Sequence, residues 1–130
     1  MIYHKVILKV SSVKFCLIIT DNFEKSIKEF PLLRKFIYGL SKEKIEGIID
    51  SMAYTCKIEM RMGLKDRYYM MMRPRIKNSE IAHEVFHFIL RMLGVRDILS
   101  GEEIYAYLIQ ETFEKIEEQI IKYRNEKYSD

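Results

Sequence analysis

The chain of 130 residues is short of the features that mark several protein classes. It has two cysteines, Cys16 and Cys56, with no CxxC pair and no evenly spaced framework, so no disulfide scaffold is encoded. Both lie in apolar, strand-like runs, which reads as buried reduced thiols in a reducing compartment. No stretch approaches eighteen uncharged apolar residues, and this excludes a transmembrane helix. Charge of one sign is scarce too: the net charge is +3, with the basic residues spread among acids. A nucleic-acid partner would call for Lys and Arg clustered on one face, so that class is disfavoured. The basic residues of "RMGLKDRYYMMMRPRIK" (61–77) read equally well as a solvated strand face. The opening "MIYHKVILKV" carries His4 and Lys5 where a secretory signal needs its apolar run. The expectation is a cytoplasmic protein with no membrane partner. Repeats, low-complexity segments and linkers are missing as well, so residues 1–130 read as one domain.

What is present suits a folded domain. Hydrophobic residues make up 48% of the chain and charged residues 32%, which argues against disorder. The length suffices to bury a core without staples. "IYHKVILKV" (2–10) and "VKFCLIIT" (13–20) read as strands, joined at Ser11-Ser12 by a tight turn into a hairpin. Asp21 with Glu24 has the form of a capping box, so a helix should start near Asn22. Pro31 kinks that helix or begins a second segment, which Gly39 closes. Residues 42–51 read as a further short helix capped by Ser41, although Gly47 lies inside it. "AYTCKIEMR" (53–61) and "RYYMMMRPR" (67–75) read as a second hairpin. Pro74 either ends its second strand or puts it at a sheet edge. The Tyr and Met residues at 68–72 read as core and sheet surface.

The period then changes. "NSEIAHEVFHFILRMLG" (78–94) has Ile81, Val85, Ile89 and Met92 at helical spacing, Asn78 or Ser79 as cap, and Gly94 as its end. Residues 100–124 read as a long last helix with the apolar stripe Ile104, Leu108, Ile116 and Ile120, followed by a fraying tail at 125–130. The fold class expected is α+β: a small mixed or antiparallel sheet of about four strands, an HExxH-bearing helix and a long C-terminal helix.

The HExxH pattern is "HEVFH" at 83–87, which holds two of the chain's three histidines. On a helix, positions i and i+4 share a face, so His83 and His87 can direct two imidazoles at one ion. Zn²⁺ accepts neutral imidazole nitrogens in four-coordination. Glu84 is rotated away from that line and would reach a metal-bound water rather than the metal, which is where a general base belongs. A catalytic zinc needs a third protein ligand. The extended pattern HExxHxxGxxH is closed, since Leu90 and Leu93 stand where its Gly and its last His would be. His4, in a strand at the far end of the chain, reads as a surface or edge residue. A carboxylate remains: Glu102 or Glu103 at the start of the last helix, or Asp97 in the connection. Glu103 also completes a capping box with Ser100, a role that needs no metal.

"EIAHEVFHFILRMLGV" followed by "EEIYAYLIQ" resembles the HExxH zinc metallopeptidases of the gluzincin kind. More closely, it resembles short metallopeptidase-like proteins encoded by tailed bacteriophages, with "IAHEVFH", "LGV" and "EEIYAY" as the matching stretches, over about residues 80–110. The resemblance implies a minimal zincin-like fold binding Zn²⁺. It makes His83, His87 and Glu103 the ligands and Glu84 the base. Glu103 takes the place four residues before the second residue of the "AY" pair, Tyr107. Tyr107, one turn further on the same face, would donate to a ligand carboxylate or a developing oxyanion, or else is a core tyrosine. The substrate implied is a peptide or protein of phage or host, in the host cytoplasm or at the virion, taken as an added strand along a sheet edge such as 67–73. The alternative is a phage structural or interaction protein that uses the same fold without catalysis.

Overall fold

The computed structural model describes residues 3–93 and 102–127. Strand β1 (Tyr3–Val10) returns as β2 (Val13–Thr20), with Val10 opposite Val13 and only Ser11 and Ser12 between them. A turn this tight needs left-handed backbone, and Ser11 supplies it at φ 56°. Three short helices follow: α1 (Phe23–Lys28), α2 (Pro31–Tyr38) and α3 (Lys42–Asp50). The cap of α1 is Asn22, whose side chain accepts the Lys25 amide at 3.0 Å. The Asp21–Glu24 capping box therefore does not form. Asn22 has the extended backbone a cap requires, one residue later than the sequence pattern suggests. Pro31 begins α2 at its first turn, where its missing N–H costs nothing. Ser41 caps α3 through the Lys44 amide, and Gly47 sits inside that helix without ending it.

Strands β3 (Ala53–Ile58) and β4 (Arg67–Met72) form the second hairpin, each about three residues shorter than the runs 53–61 and 67–75. Beyond β4, Pro74 is buried and Arg73 turns inward to donate to the Ser51 carbonyl at 2.9 Å and to the carbonyls of Asp21 and Ile49. The sheet is mixed, with order β1-β2-β4-β3; β2 and β4 run parallel and the other pairs antiparallel. Strand β4 is thus interior, and the expectation of an edge at 67–73 is wrong. The crossover through α1–α3 sends β3 to the outside and brings β4 back beside β2.

Helix α4 (Asn78–Leu93) and the long helix α5 (Glu102–Lys127) cover the other face, giving five helices among the described residues. Neither Asn78 nor Ser79 precedes α4 as its cap. The Lys77 carbonyl accepts the first helical amide bonds, and Glu80 reaches back to the Lys77 amide at 3.1 Å. The proposed end of α4 at Gly94 and the Ser100 cap lie outside the described residues. Helix α5 runs to Lys127, past the expected boundary at 124; the tail beyond it also lies outside them.

Strand residues alternate between two cores, which is why the runs at 15–20 and 70–72 are buried throughout. Cys16, Ile18, Cys56 and Met71 pack against α1–α3. Phe15, Leu17, Ile19, Met70 and Met72 pack against Ile81, Val85, Phe88 and Ile89 of α4 and Leu108, Ile116 and Ile120 of α5. Both cysteines are free, and burial pushes the Cys16 thiol up to about 11 and the Cys56 thiol up to about 12. Ile104 departs from the expected stripe. It is 67% exposed, and Tyr105 takes the inward position at that turn of α5. No helix among the described residues is long and apolar enough to cross a membrane.

Candidate functional site

Helix α4 owes its place to one apolar side. Ile81, Val85, Phe88 and Ile89 are buried, and the Phe88 ring lies 4.7 Å from Phe15 and 5.6 Å from Tyr68, edge-on to the latter. With that side fixed against the sheet, the helical period turns positions 83 and 87 outward. His83 is exposed and His87 half-buried, their ring centroids 4.6 Å apart and their Nε2 atoms 3.1 Å apart. Two nitrogens bound to one tetrahedral Zn²⁺ at about 2.0–2.1 Å would stand about 3.3 Å apart. The Nε2 spacing of the imidazole pair is therefore close to that of two corners of such a site, and each ring keeps Nδ1 for another partner.

Glu84 flanks the pair on the side of β3. Its carboxylate accepts a hydrogen bond from the Thr55 hydroxyl at 2.9 Å. Thr55 is buried, and this part-buried bond ties the Glu84 carboxylate to the edge strand. Two turns further along α4, Arg91 donates to the Thr55 carbonyl. Thr55 is thus gripped twice by one helix, once through its side chain and once through its backbone. Sequence reasoning missed both Thr55 and Arg91. The spacing of seven between Glu84 and Arg91 places them on one helix face, but nothing in the sequence says which strand they meet.

The start of α5 lies beside the middle of α4. The Phe86 ring, next to His87, meets the Tyr105 ring edge-on at 6.1 Å. Tyr105 is two residues after Glu103, so Glu103 lies within one helical turn of that contact along α5. The Tyr105 hydroxyl is buried without a hydrogen-bond partner among the described residues, and its burial raises its pKa. Tyr107 is 71% exposed, which excludes the core role for it. Among the described residues no three His, Cys, Asp or Glu side chains gather to hold a metal ion. The side chains of Glu102 and Glu103, and all of Asp97, lie outside the described residues. His4 is half-buried on edge strand β1, its Nε2 3.3 Å from Gln119 of α5. It behaves as the edge residue expected of it.

A surface groove of about 370 Å³ lies elsewhere, between α2, α3 and β3. It is lined by Phe36, Leu40, Ile48 and Tyr54, with Lys44 as its charged side chain, and it belongs to the opposite face of the sheet from the histidines. Comparison with protein-family models, with curated proteins and with solved structures finds no match to this chain.

Proposed function

We propose that the chain is a zinc-dependent peptidase of minimal zincin-like architecture, in keeping with the resemblance of residues 80–110 to HExxH…E metallopeptidases of phage. The observation that carries the reading is the outward His83–His87 pair with Nε2 atoms 3.1 Å apart, with the intervening Glu84 carboxylate held by Thr55. On this reading His83 and His87 hold Zn²⁺ with Glu103 as third ligand, since the start of α5 runs beside α4 at Phe86. When bound, the cation would supply Lewis-acid chemistry, lowering the pKa of a water and polarising a carbonyl. Glu84, tied to Thr55, would serve as the general base and carry a proton to the leaving amine.

The test is the metal content of protein purified without a histidine tag, measured beside His83→Ala and Glu103→Ala variants. About one zinc per chain, lost in both variants, is the expected result for a three-ligand site. Glu84→Gln should keep the metal and abolish peptide hydrolysis. A native protein that takes up no zinc when it is supplied would sink the enzyme reading and leave an interaction protein built on this fold.

A further inference from the structure

Among the described residues the sheet is open at both ends, at β1 and at β3, and an open edge invites another strand. The hydrogen-bond phase of each ladder tells which backbone groups face outward. In the β3–β4 hairpin the Arg73 amide donates to the Met52 carbonyl at 3.0 Å, and the register pairs Ala53 with Met72. Hydrogen-bonded pairs alternate in an antiparallel ladder, so Tyr54 and Cys56 bond inward to β4. The N–H and C=O groups of Ala53, Thr55 and Lys57 then point away from the sheet. In the β1–β2 hairpin, Val10 and Val13 close a two-residue turn and form a bonded pair. By the same alternation Lys5, Ile7 and Lys9 point their backbone groups outward.

The central carbonyl of the β3 edge, Thr55, receives the Arg91 guanidinium from α4. An outward carbonyl of the β1 edge, Lys9, receives the Lys115 ammonium from α5. Both contacts span long stretches of chain, and both put a cation on an acceptor that an incoming strand would need. A charged donor on a carbonyl makes a stronger hydrogen bond than a neutral amide does, so an added strand must displace it at a loss. Lys115 is also paired with Glu111 at 3.0 Å, and its bond to the Lys9 carbonyl is the more exposed contact, so its hold is the weaker of the two.

We propose that Arg91 and Lys115 are edge guards, which keep two copies of this chain from joining their sheets through β3 and β1. Arg91 is the main guard, because its edge is short and carries no other cation on an outward carbonyl among the described residues. Without it, two β3 edges can pair antiparallel about Thr55, setting Ala53 against Lys57 with no clash of like charge. With both guards gone, alternating β3 and β1 contacts would no longer close on a dimer and would propagate into a chain of molecules.

Arg91→Met tests this, since methionine keeps the aliphatic stem against the sheet while removing the donors. The half-dimerisation concentration, read by light scattering after size exclusion, should fall by about tenfold or more relative to the wild type. Arg91→Lys, which restores one charged donor, should return most of the difference. Adding Lys57→Pro to Arg91→Met should abolish the dimer, because the amide at 57 faces outward and its loss leaves the β3–β4 ladder intact. Arg91→Met with Lys115→Met should form longer, thioflavin-positive assemblies. Urea unfolding of each variant checks that it is folded. An Arg91→Met chain that associates no more than the wild type overturns the proposal, as does association that Lys57→Pro fails to reverse. None of these measurements uses metal or hydrolysis, so the proposal stands or falls apart from the peptidase reading.

Discussion

The two faces of the sheet use their polar residues differently. On the α1–α3 face they finish the backbone. Asn22 and Ser41 cap helices, and the Ser51 hydroxyl bonds the Ile48 carbonyl. Each satisfies a group that a short helix or strand end would otherwise leave open. On the other face Glu80 closes the start of α4, but that helix also carries polar residues that close no helix end. His83 and His87 stand outward, bonded to each other, and Glu84 is held by a strand rather than by a cap. A polar group that satisfies the backbone is explained by folding. An outward pair of imidazoles bonded only to each other in the described structure is not, and this asymmetry makes α4 the place to test the proposed chemistry.

The largest effect expected comes from breaking the support of that helix. Phe88 is fully buried between Phe15 and Tyr68, so Phe88→Ala should cost about 3–5 kcal/mol in urea denaturation through lost burial and the cavity left behind. That is a large share of the stability of an ordinary domain. Because the same contacts aim His83 and His87 outward, the variant should also bind zinc more weakly. Full zinc affinity in Phe88→Ala would show that the histidine geometry is set by something other than the seating of α4.

A smaller effect should come from the α1–α3 face, where the thiols are sealed. Cys16 and Cys56 titrate near 11 and 12 when folded, above their ordinary value of 9.0. Between pH 9 and those values the unfolded chain has released protons that the folded chain retains, so stability falls as pH rises. The slope is at most about 1.4 kcal/mol per pH unit for each thiol. Below about pH 8 both states are protonated and the thiols contribute no slope. Unfolding curves at pH 8 and pH 10 should separate, and Cys56→Ala should narrow the gap. An unchanged gap in that variant would mean the thiol is not sealed. Alkylation of the native protein at neutral pH should be correspondingly slow.

The sequence carried some of this and withheld the rest for physical reasons. Helical and strand periods are local, so the two hairpins, the Ser11-Ser12 turn, the start of α2 at Pro31 and the buried side of α4 could be read directly. Strand order is not local. Nothing in "RYYMMMRPR" says that β4 pairs in parallel with β2, and Pro74 suggested an edge because it follows the strand. Ile104 shows a limit of periodicity near a helix end, where the first turn of α5 puts Tyr105 inward and leaves Ile104 in solvent. At the site, His83, Glu84 and His87 were legible because one helical turn fixes their relation. Thr55 and Arg91 were not, since their contacts span 29 and 36 residues. The same holds for Arg73 and Arg124, whose carbonyl partners come from distant segments.

The smallest effect is the one that best separates the two faces. His83 is exposed on the outward side of α4, and in the described structure it bonds only to His87. In a chelator, His83→Ala should therefore change folding stability by less than about 0.5 kcal/mol, the range of ordinary surface substitutions. With zinc at a thousand times its dissociation constant, the wild type should gain about 4 kcal/mol and the variant far less. An Asn22→Ala change on the other face should behave in the opposite way, costing about 1 kcal/mol with or without metal because a cap is lost. If His83→Ala costs more than about 1 kcal/mol in chelator, the imidazole pair is itself part of what holds α4 together. The histidines would then belong with the caps of the α1–α3 face, as groups that folding alone explains. A stability change that appears only with zinc would make ligand binding their reason for standing one turn apart.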